Sequence, residues 1–234
     1  MRYIPFLALL FILPSCSMTG GGDHWGNKPG PQGFRTVVID TGHGGKDPGA
    51  VSRHTGQREK DANLDLAKRL RSELKGSFRT VMIRSNDRFV DLDDRVKFAN
   101  RYGDAILVSL HFNSGSSSRR GPETYWWRVD SHGLAVRCQR AMKSVAPSSA
   151  NAGLNRRRLR LTRNPSIPCV LLEGGYLSNS SESRKIYSAA HREKLAKAIA
   201  GAIRDQAAKG DAGTGPRPRF IKAPPSRATD APGS

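Results

Sequence analysis

Short apolar runs alternate along this chain with stretches in which apolar residues recur every three or four positions. Val37-Val38-Ile39, Ile106-Leu107-Val108 and Val170-Leu171-Leu172 are near-continuous and predict buried strands over residues 36–40, 105–111 and 168–173. Residues 80–84, the aromatic-rich 123–128 and a short 159–161 predict three more strands. Between them, Leu64, Ala67, Leu70 and Leu74 keep helical spacing and predict a helix over 59–74. Leu92, Val96, Ala99 and Tyr102 predict a second helix, with Asp91, Asp93 and Asp94 near its positive end. Further helices are expected over 131–145 and 188–208, the last burying Leu195, Ile199 and Ile203. Strand and helix in alternation specify an α/β domain, with a mostly parallel or mixed sheet of about six strands and helices on both faces.

The ends of the chain break this pattern. An apolar run from Tyr3 to Pro14 follows Met1-Arg2 and is too short to cross a bilayer, which needs about 20 residues. It fits a secretory leader over residues 1–15. Leu13-Pro14-Ser15-Cys16 resembles a lipoprotein cleavage site, with Cys16 as the lipidated residue. Residues 16–33 are rich in Gly and Pro and read as a flexible tether. Residues 210–234 are Pro-rich, basic and without periodicity, and read as a disordered tail. The folded domain is therefore expected over 34–209.

Candidate chemistry gathers at the strand ends. His43 lies in Asp40-Thr41-Gly42-His43-Gly44-Gly45 after the first apolar run, and His111 closes the third predicted strand. Glu173 ends the last strand, and Glu59 opens the first helix. Groups at strand C-terminal ends occupy the usual place for sites in open α/β sheets. Two His and one Glu suffice for a catalytic zinc with an open position, leaving the other Glu for proton transfer. Taken singly, Glu59 would do no more than favour its helix N-terminus, and Glu173 would pair with an arginine.

The set of motifs carries more than its parts. Ile39 through Ala50, Glu59-Lys60-Asp61-Ala62-Asn63-Leu64, Ser109-Leu110-His111-Phe112-Asn113 and Glu173-Gly174-Gly175-Tyr176-Leu177-Ser178-Asn179 together resemble the zinc-dependent N-acetylmuramoyl-L-alanine amidases of the Amidase_3 family. Asp87 through Leu92 and Arg95-Val96 match as well. The resemblance implies a zinc amidase or peptidase-like fold holding one Zn²⁺, with His43, Glu59 and His111 as ligands and Glu173 as the catalytic glutamate. The implied reaction is hydrolysis of the amide between the lactyl group of N-acetylmuramic acid and the L-Ala of the peptidoglycan stem peptide. Zinc would supply a nucleophilic water at neutral pH and polarise the amide. The chain departs from the family pattern at Thr41, where proline is common. It departs again at Phe112, which is expected to narrow the site, and at Gly174-Gly175-Tyr176, where an apolar-Gly-Phe pattern is usual.

Charge refines the choice of partner. The formal net charge is +19. No acidic residue lies between Asp130 and Glu173, while Arg137, Arg140, Lys143, Arg156, Arg157, Arg158, Arg160 and Arg163 all do. Arg160 and Arg163 are candidates to hold stem-peptide carboxylates. Export turns this charge toward cell-wall polymer or anionic lipid and away from nucleic acid. Peptidoglycan and, through the lipid, a membrane are the expected partners. Residues 114–122 are too few for an occluding regulatory helix, so no activator is expected to be required. The competing classes are a zinc peptidase or deacylase cutting another wall bond, and a non-catalytic wall-binding lipoprotein. The expected location is the periplasmic face of the cell envelope, at the outer membrane where the cell has one, since Ser17 follows Cys16. Cys138 and Cys169 are not assigned to zinc; export allows a disulfide between them without demanding it, and two buried free thiols fit equally well. Replacing Cys16 with Ser is expected to move the protein from the detergent phase to the aqueous phase on partitioning and to remove the lipid mass; an unchanged partition would remove Cys16 as the anchor.

Overall fold

Strand β3 (Ala105–Asn113) is the axis of the molecule, buried along most of its length because sheet and helices cover it on both sides. The protein is described here from a computed structural model covering residues 26–227; the leader, Cys16, the first part of the expected tether (residues 17–25) and residues 228–234 lie outside the described residues. Parallel neighbours β1 (Thr36–Thr41) and β6 (Cys169–Tyr176) flank β3. β2 (Arg79–Met82) continues the sheet beyond β1. β4 (Glu123–Trp126) runs antiparallel to β6, and β5 (Gly153–Arg156) closes the far edge. The result is one mixed six-stranded sheet in the order β2-β1-β3-β6-β4-β5.

Three long helices cover one face. Leu66 and Leu70 of α1 (Glu59–Glu73), Leu134 and Met142 of α3 (His132–Val145), and Leu195, Ile199 and Ile203 of α6 (Ala189–Lys209) meet Ile39, Val108, Leu110 and Val170 of the strands. The other face is thinner. Val38, Leu107 and Cys169 point to that side and are covered by α2 (Leu92–Ala99), by Ile167 and by Leu161 of the single-turn α4 (Arg160–Arg163). Period-two alternation along each strand divides the side chains between the faces. Asp91 caps α2, its carboxylate accepting the Asp93 amide at 2.8 Å, as the acidic cluster predicts.

Two elements differ from expectation. The short strand expected at 159–161 lies instead at Gly153–Arg156, where a polar edge strand pairs with β4 and so shows no apolar alternation. Leu159 and Leu161 are buried without a strand because Leu159 packs with Tyr125 and Leu171, and Leu161 joins Leu107 and Cys169. Helix α5 (Ser180–Tyr187) is unforeseen, although its signal is legible: the Asn179 side chain accepts the amides of Ser181 and Glu182. The two cysteines sit on opposite faces of the sheet, both as free thiols.

The flanking segments lie against the domain as far as they are described. Gly26 accepts the Asp130 amide, and Gly30 donates to Asp211 at 2.6 Å. Beyond α6, residues 210–227 form neither helix nor strand, yet they run along the arginine-rich stretch expected from the sequence. Their backbone carbonyls are the acceptors: Arg137 donates to Gly210 and Ala212, Arg140 to Gly213, Arg156 to Arg219, and Arg158 to Pro224. Burial pushes both the Cys138 and the Cys169 thiol up to about 12. In protein carrying Cys16→Ser, neither thiol is expected to react with a thiol reagent until the chain is unfolded; native-state labelling at either position would contradict this packing.

Candidate metal centre

β1 delivers the chain to a turn that its own residues do not favour. His43 has φ 57°, in the left-handed region that non-glycine residues rarely adopt. Two buried arginines hold it there. Arg84 donates from Nε to the Thr41 carbonyl at 2.9 Å and from Nη2 to the Gly42 carbonyl at 2.6 Å. Arg95, from α2, donates to the carbonyls of Thr41 at 2.7 Å and His43 at 2.9 Å and pairs with Asp40 at 2.7 Å. Burial alone would raise the Asp40 carboxyl, but Arg95 and the Ser109 hydroxyl, 2.6 Å away, hold it below its ordinary value.

Glu59, at the start of α1, is the hub. Its Oε2 lies 3.1 Å from His43 Nε2, and its Oε1 lies 2.9 Å from His111 Nδ1. The Ala50 amide donates to Oε2 at 2.9 Å and the Phe112 amide to Oε1 at 3.2 Å, fixing the carboxylate plane. Burial would raise the Glu59 carboxyl; the two imidazoles outweigh it and hold the group far below its usual range. Burial disfavours a charged His43, yet Glu59 and then Asp47 raise it to about 9. Asp47 Oδ2 lies 2.8 Å from His43 Nδ1, turning His43 Nε2 toward Glu59.

The three side chains fit a single metal ion. One ligand atom from each of His43, Glu59 and His111 falls within 4.8 Å of the others. The donor set of two imidazole nitrogens and one carboxylate suits a metal that keeps an open position. The room is made by absent side chains: a Cβ on Gly42 would lie 2.3 Å from the His111 ring, and one on Gly49 would lie 2.7 Å from Glu59 Oε2.

Glu173 stands beside this cluster. It is the register partner of His111 across β3 and β6, and it is 5% exposed. Its Oε2 is buried and has no hydrogen-bond partner among the described residues. Burial, then the charges of Glu59 and Glu123, raise its carboxyl well above the ordinary value. All four residues line a groove of about 510 Å³, walled by Phe89, Leu92, Leu161 and Leu171.

The structure thus brings together His43, Glu59, His111 and Glu173, but it separates the two arginine candidates. Arg160 reaches the groove, where it pairs with Asp93 at 3.0 Å and donates to the Ser226 carbonyl at 2.5 Å. Arg163 points away, donating to the Ala223 carbonyl beside Trp127 and Phe220. Phe112 does not narrow the site with its ring. Next to His111 on a strand, it must face the opposite side, where it is buried in the helix-covered core against Gly174. Arg84 and Glu123 carried no functional signal in the sequence, because their partners come from strands and loops distant in the chain.

Fold and site together define an α/β protein with a candidate mononuclear metal centre at the strand ends of a mixed sheet. A family model described as N-acetylmuramoyl-L-alanine amidase, Amidase_3, matches residues 37–205, and the chain belongs to that family. It is 35% identical over 172 residues to the N-acetylmuramoyl-L-alanine amidase LytC of Bacillus subtilis, covering 70% of this chain and 34% of LytC. It is 36% identical over 173 residues to the probable cell wall amidase LytH of Staphylococcus epidermidis, covering 73% of this chain and 57% of that protein. The chain therefore spans between a third and somewhat over half of the length of these relatives. The catalytic domain of CwlV, an amidase from Bacillus (Paenibacillus) polymyxa var. colistinus, superimposes with TM-score 0.70 at 35% identity, covering 74% of this chain and 97% of that domain. An N-acetylmuramoyl-L-alanine amidase of Clostridium difficile 630 gives 0.71 at 30% identity, covering 75% and 97%.

Carboxylates that orient a ligand histidine contribute about 10–100-fold in metal affinity. Asp47→Ala is expected to weaken retention of a divalent metal by about that factor, measured by chelator competition; unchanged affinity would show that Asp47 does not orient His43 for ligation.

Proposed function

We propose that this protein is a zinc-dependent amidase of peptidoglycan, hydrolysing the amide between N-acetylmuramic acid and the L-Ala of the stem peptide. The observation that carries the reading is the convergence of His43, Glu59 and His111 at the head of an open groove, with the bare carboxyl of Glu173 beside them. His43, Glu59 and His111 would hold the zinc, which when bound makes a water nucleophilic at neutral pH and draws charge from the amide carbonyl.

The remaining work falls to the chain's own groups. Amide hydrolysis needs a proton taken from the attacking water and returned to the leaving nitrogen. A carboxylate that is buried, undonated and flanked by other carboxylates binds a proton readily, and Glu173 is placed this way. It takes the proton at the groove and delivers it to the nitrogen, so that the stem peptide leaves as a neutral amine. Apolar walls on one side of the groove keep that transfer shielded from bulk water. Arg160, at the rim, is positioned to meet a carboxylate of the stem peptide once it releases Asp93 or the tail carbonyl.

The cellular setting is part of the same reading. Cys16 would carry a lipid that holds the protein at the cell envelope, with residues 17–33 as the tether. No helix among the described residues is long and apolar enough to cross a membrane. Residues 114–122 form a loop between β3 and β4, and the domain is expected to act without an activating partner.

Incubation of the zinc-loaded protein with purified peptidoglycan, followed by mass analysis of soluble products, tests the activity. Free stem peptides are expected from the parent, and Glu173→Gln is expected to retain zinc while losing about 10²–10⁴-fold in kcat. Fragments cut at another bond would move the reading to a peptidase or deacylase, and no fragments from the zinc-loaded parent would leave a wall-binding protein.

A further inference from the structure

Glu123 is a buried carboxylate that the proposed chemistry does not use. It lies on β4 directly opposite Glu173 on β6, so both side chains leave the same face of the sheet. The two are 2% and 5% exposed. Like charges placed opposite each other in a sheet are destabilising, so this pairing needs a compensating reason.

The hydrogen bonds around the pair are distributed unequally. Glu123 Oε2 accepts from the Tyr176 hydroxyl at 2.5 Å and from Asn113 Nδ2 at 2.9 Å, and its Oε1 accepts from Asn155 Nδ2 at 2.5 Å. Arg119 adds a cation 3.7 Å from Oε1 and lies over the Tyr176 ring at 5.2 Å. Glu173, on the adjoining strand, leaves Oε2 without a donor. Tyr176 follows Glu173 by three residues on β6, and its register partner Asn113 follows His111 by two on β3. Two of the three donors therefore come from the strand ends that also carry Glu173 and His111, and Asn155 comes from β5. Burial and the Glu123 hydrogen bond keep the Tyr176 phenol protonated, so it remains a donor.

We propose that Glu123 is a positioning residue that captures the donors of Tyr176, Asn113 and Asn155 and so keeps the neighbouring Glu173 carboxyl bare toward the groove. The inference rests on the reading of Glu173 as the proton carrier. A carboxylate holding several hydrogen bonds is stabilised as the anion and becomes a poor proton acceptor. Without Glu123 as the preferred acceptor, Glu173 is the adjoining carboxylate on that face, and the freed hydroxyl or amide would turn to it. Glu123 thus acts through Glu173 and needs no contact with substrate.

Glu123→Gln keeps the shape of the side chain but offers one acceptor oxygen where the carboxylate offers two. On peptidoglycan fragments, with zinc content confirmed, kcat is expected to fall at least tenfold while KM stays within twofold. Adding Tyr176→Phe to Glu123→Gln removes a freed donor and is expected to recover at least threefold of the lost kcat. A second readout is independent of turnover: the infrared difference between each protein and its Glu173→Gln counterpart isolates the Glu173 carboxyl stretch. That band is expected at the frequency of an undonated carboxyl in the parent, to shift to a hydrogen-bonded position in Glu123→Gln, and to return in the double variant. An unshifted band in Glu123→Gln overturns the proposal, as does a fall in kcat that the double variant does not relieve and that follows the melting temperature. If the parent releases no stem peptides, the activity reading fails by itself, and the infrared comparison still decides the role of Glu123.

Discussion

Two buried guanidiniums hold the turn on which the site depends. The chain leaves β1 through Thr41, Gly42 and His43, and Arg84 and Arg95 between them accept responsibility for all three carbonyls. A non-glycine residue in the left-handed region costs about 1–3 kcal/mol and persists only when its surroundings over-determine it. Here the arginines do so from β2's C-terminal side and from α2, so the geometry of His43 is coupled to the packing of the sheet's thinner face. Arg95 is neutralised by Asp40 in the same network. Loss of either partner would leave a buried charge uncompensated, which is far more damaging than removing both.

Four buried carboxylates around the site are treated differently. Asp40 is paired with a guanidinium, Glu59 is clasped by two imidazoles, Glu123 is surrounded by hydrogen-bond donors, and Glu173 Oε2 is left without one. All are buried, so solvent does not even out their differences. Local partners therefore set which oxygen is an ion-pair anchor, which can face a metal and which can receive a proton. Residues of a single chemical kind acquire distinct roles through the environments that the surrounding elements provide.

The arginine-rich stretch shows a different logic. Arg156, Arg158, Arg160 and Arg163 turn toward backbone carbonyls of the segment beyond α6. Carbonyl acceptors satisfy guanidinium hydrogen bonds without cancelling the positive charge. Arg160 also pairs with Asp93, and the carbonyl contacts leave the remaining positive charge in place while its donors are occupied. Proline carbonyls serve here as well as any others, and a Pro-rich segment lacking periodicity can be laid along a surface by such contacts alone.

Much of this architecture is a local property of the chain. Near-continuous apolar runs can be satisfied only by strands covered on both sides, and helical spacing of Leu64 through Leu74 or Leu195 through Ile203 leaves one face to bury. Those constraints act between neighbours in sequence and mark most elements, the α/β class and the four residues at strand and helix ends. The polar edge strand β5 escaped because its pairing with β4 demands no apolar pattern. The ring of Phe112 could have been assigned to the core by alternation from His111, a constraint as local as the rest. Tertiary structure decided what depends on groups far apart in the chain: that Arg84 and Arg95 grip the His43 turn, that Glu123 faces Glu173, and that Arg163 points away from the groove while Arg160 reaches it. Hydrogen bonds to backbone carbonyls and the mutual influence of buried charges have no signature in residue order, since they exist only after the fold has brought their partners within a few ångströms.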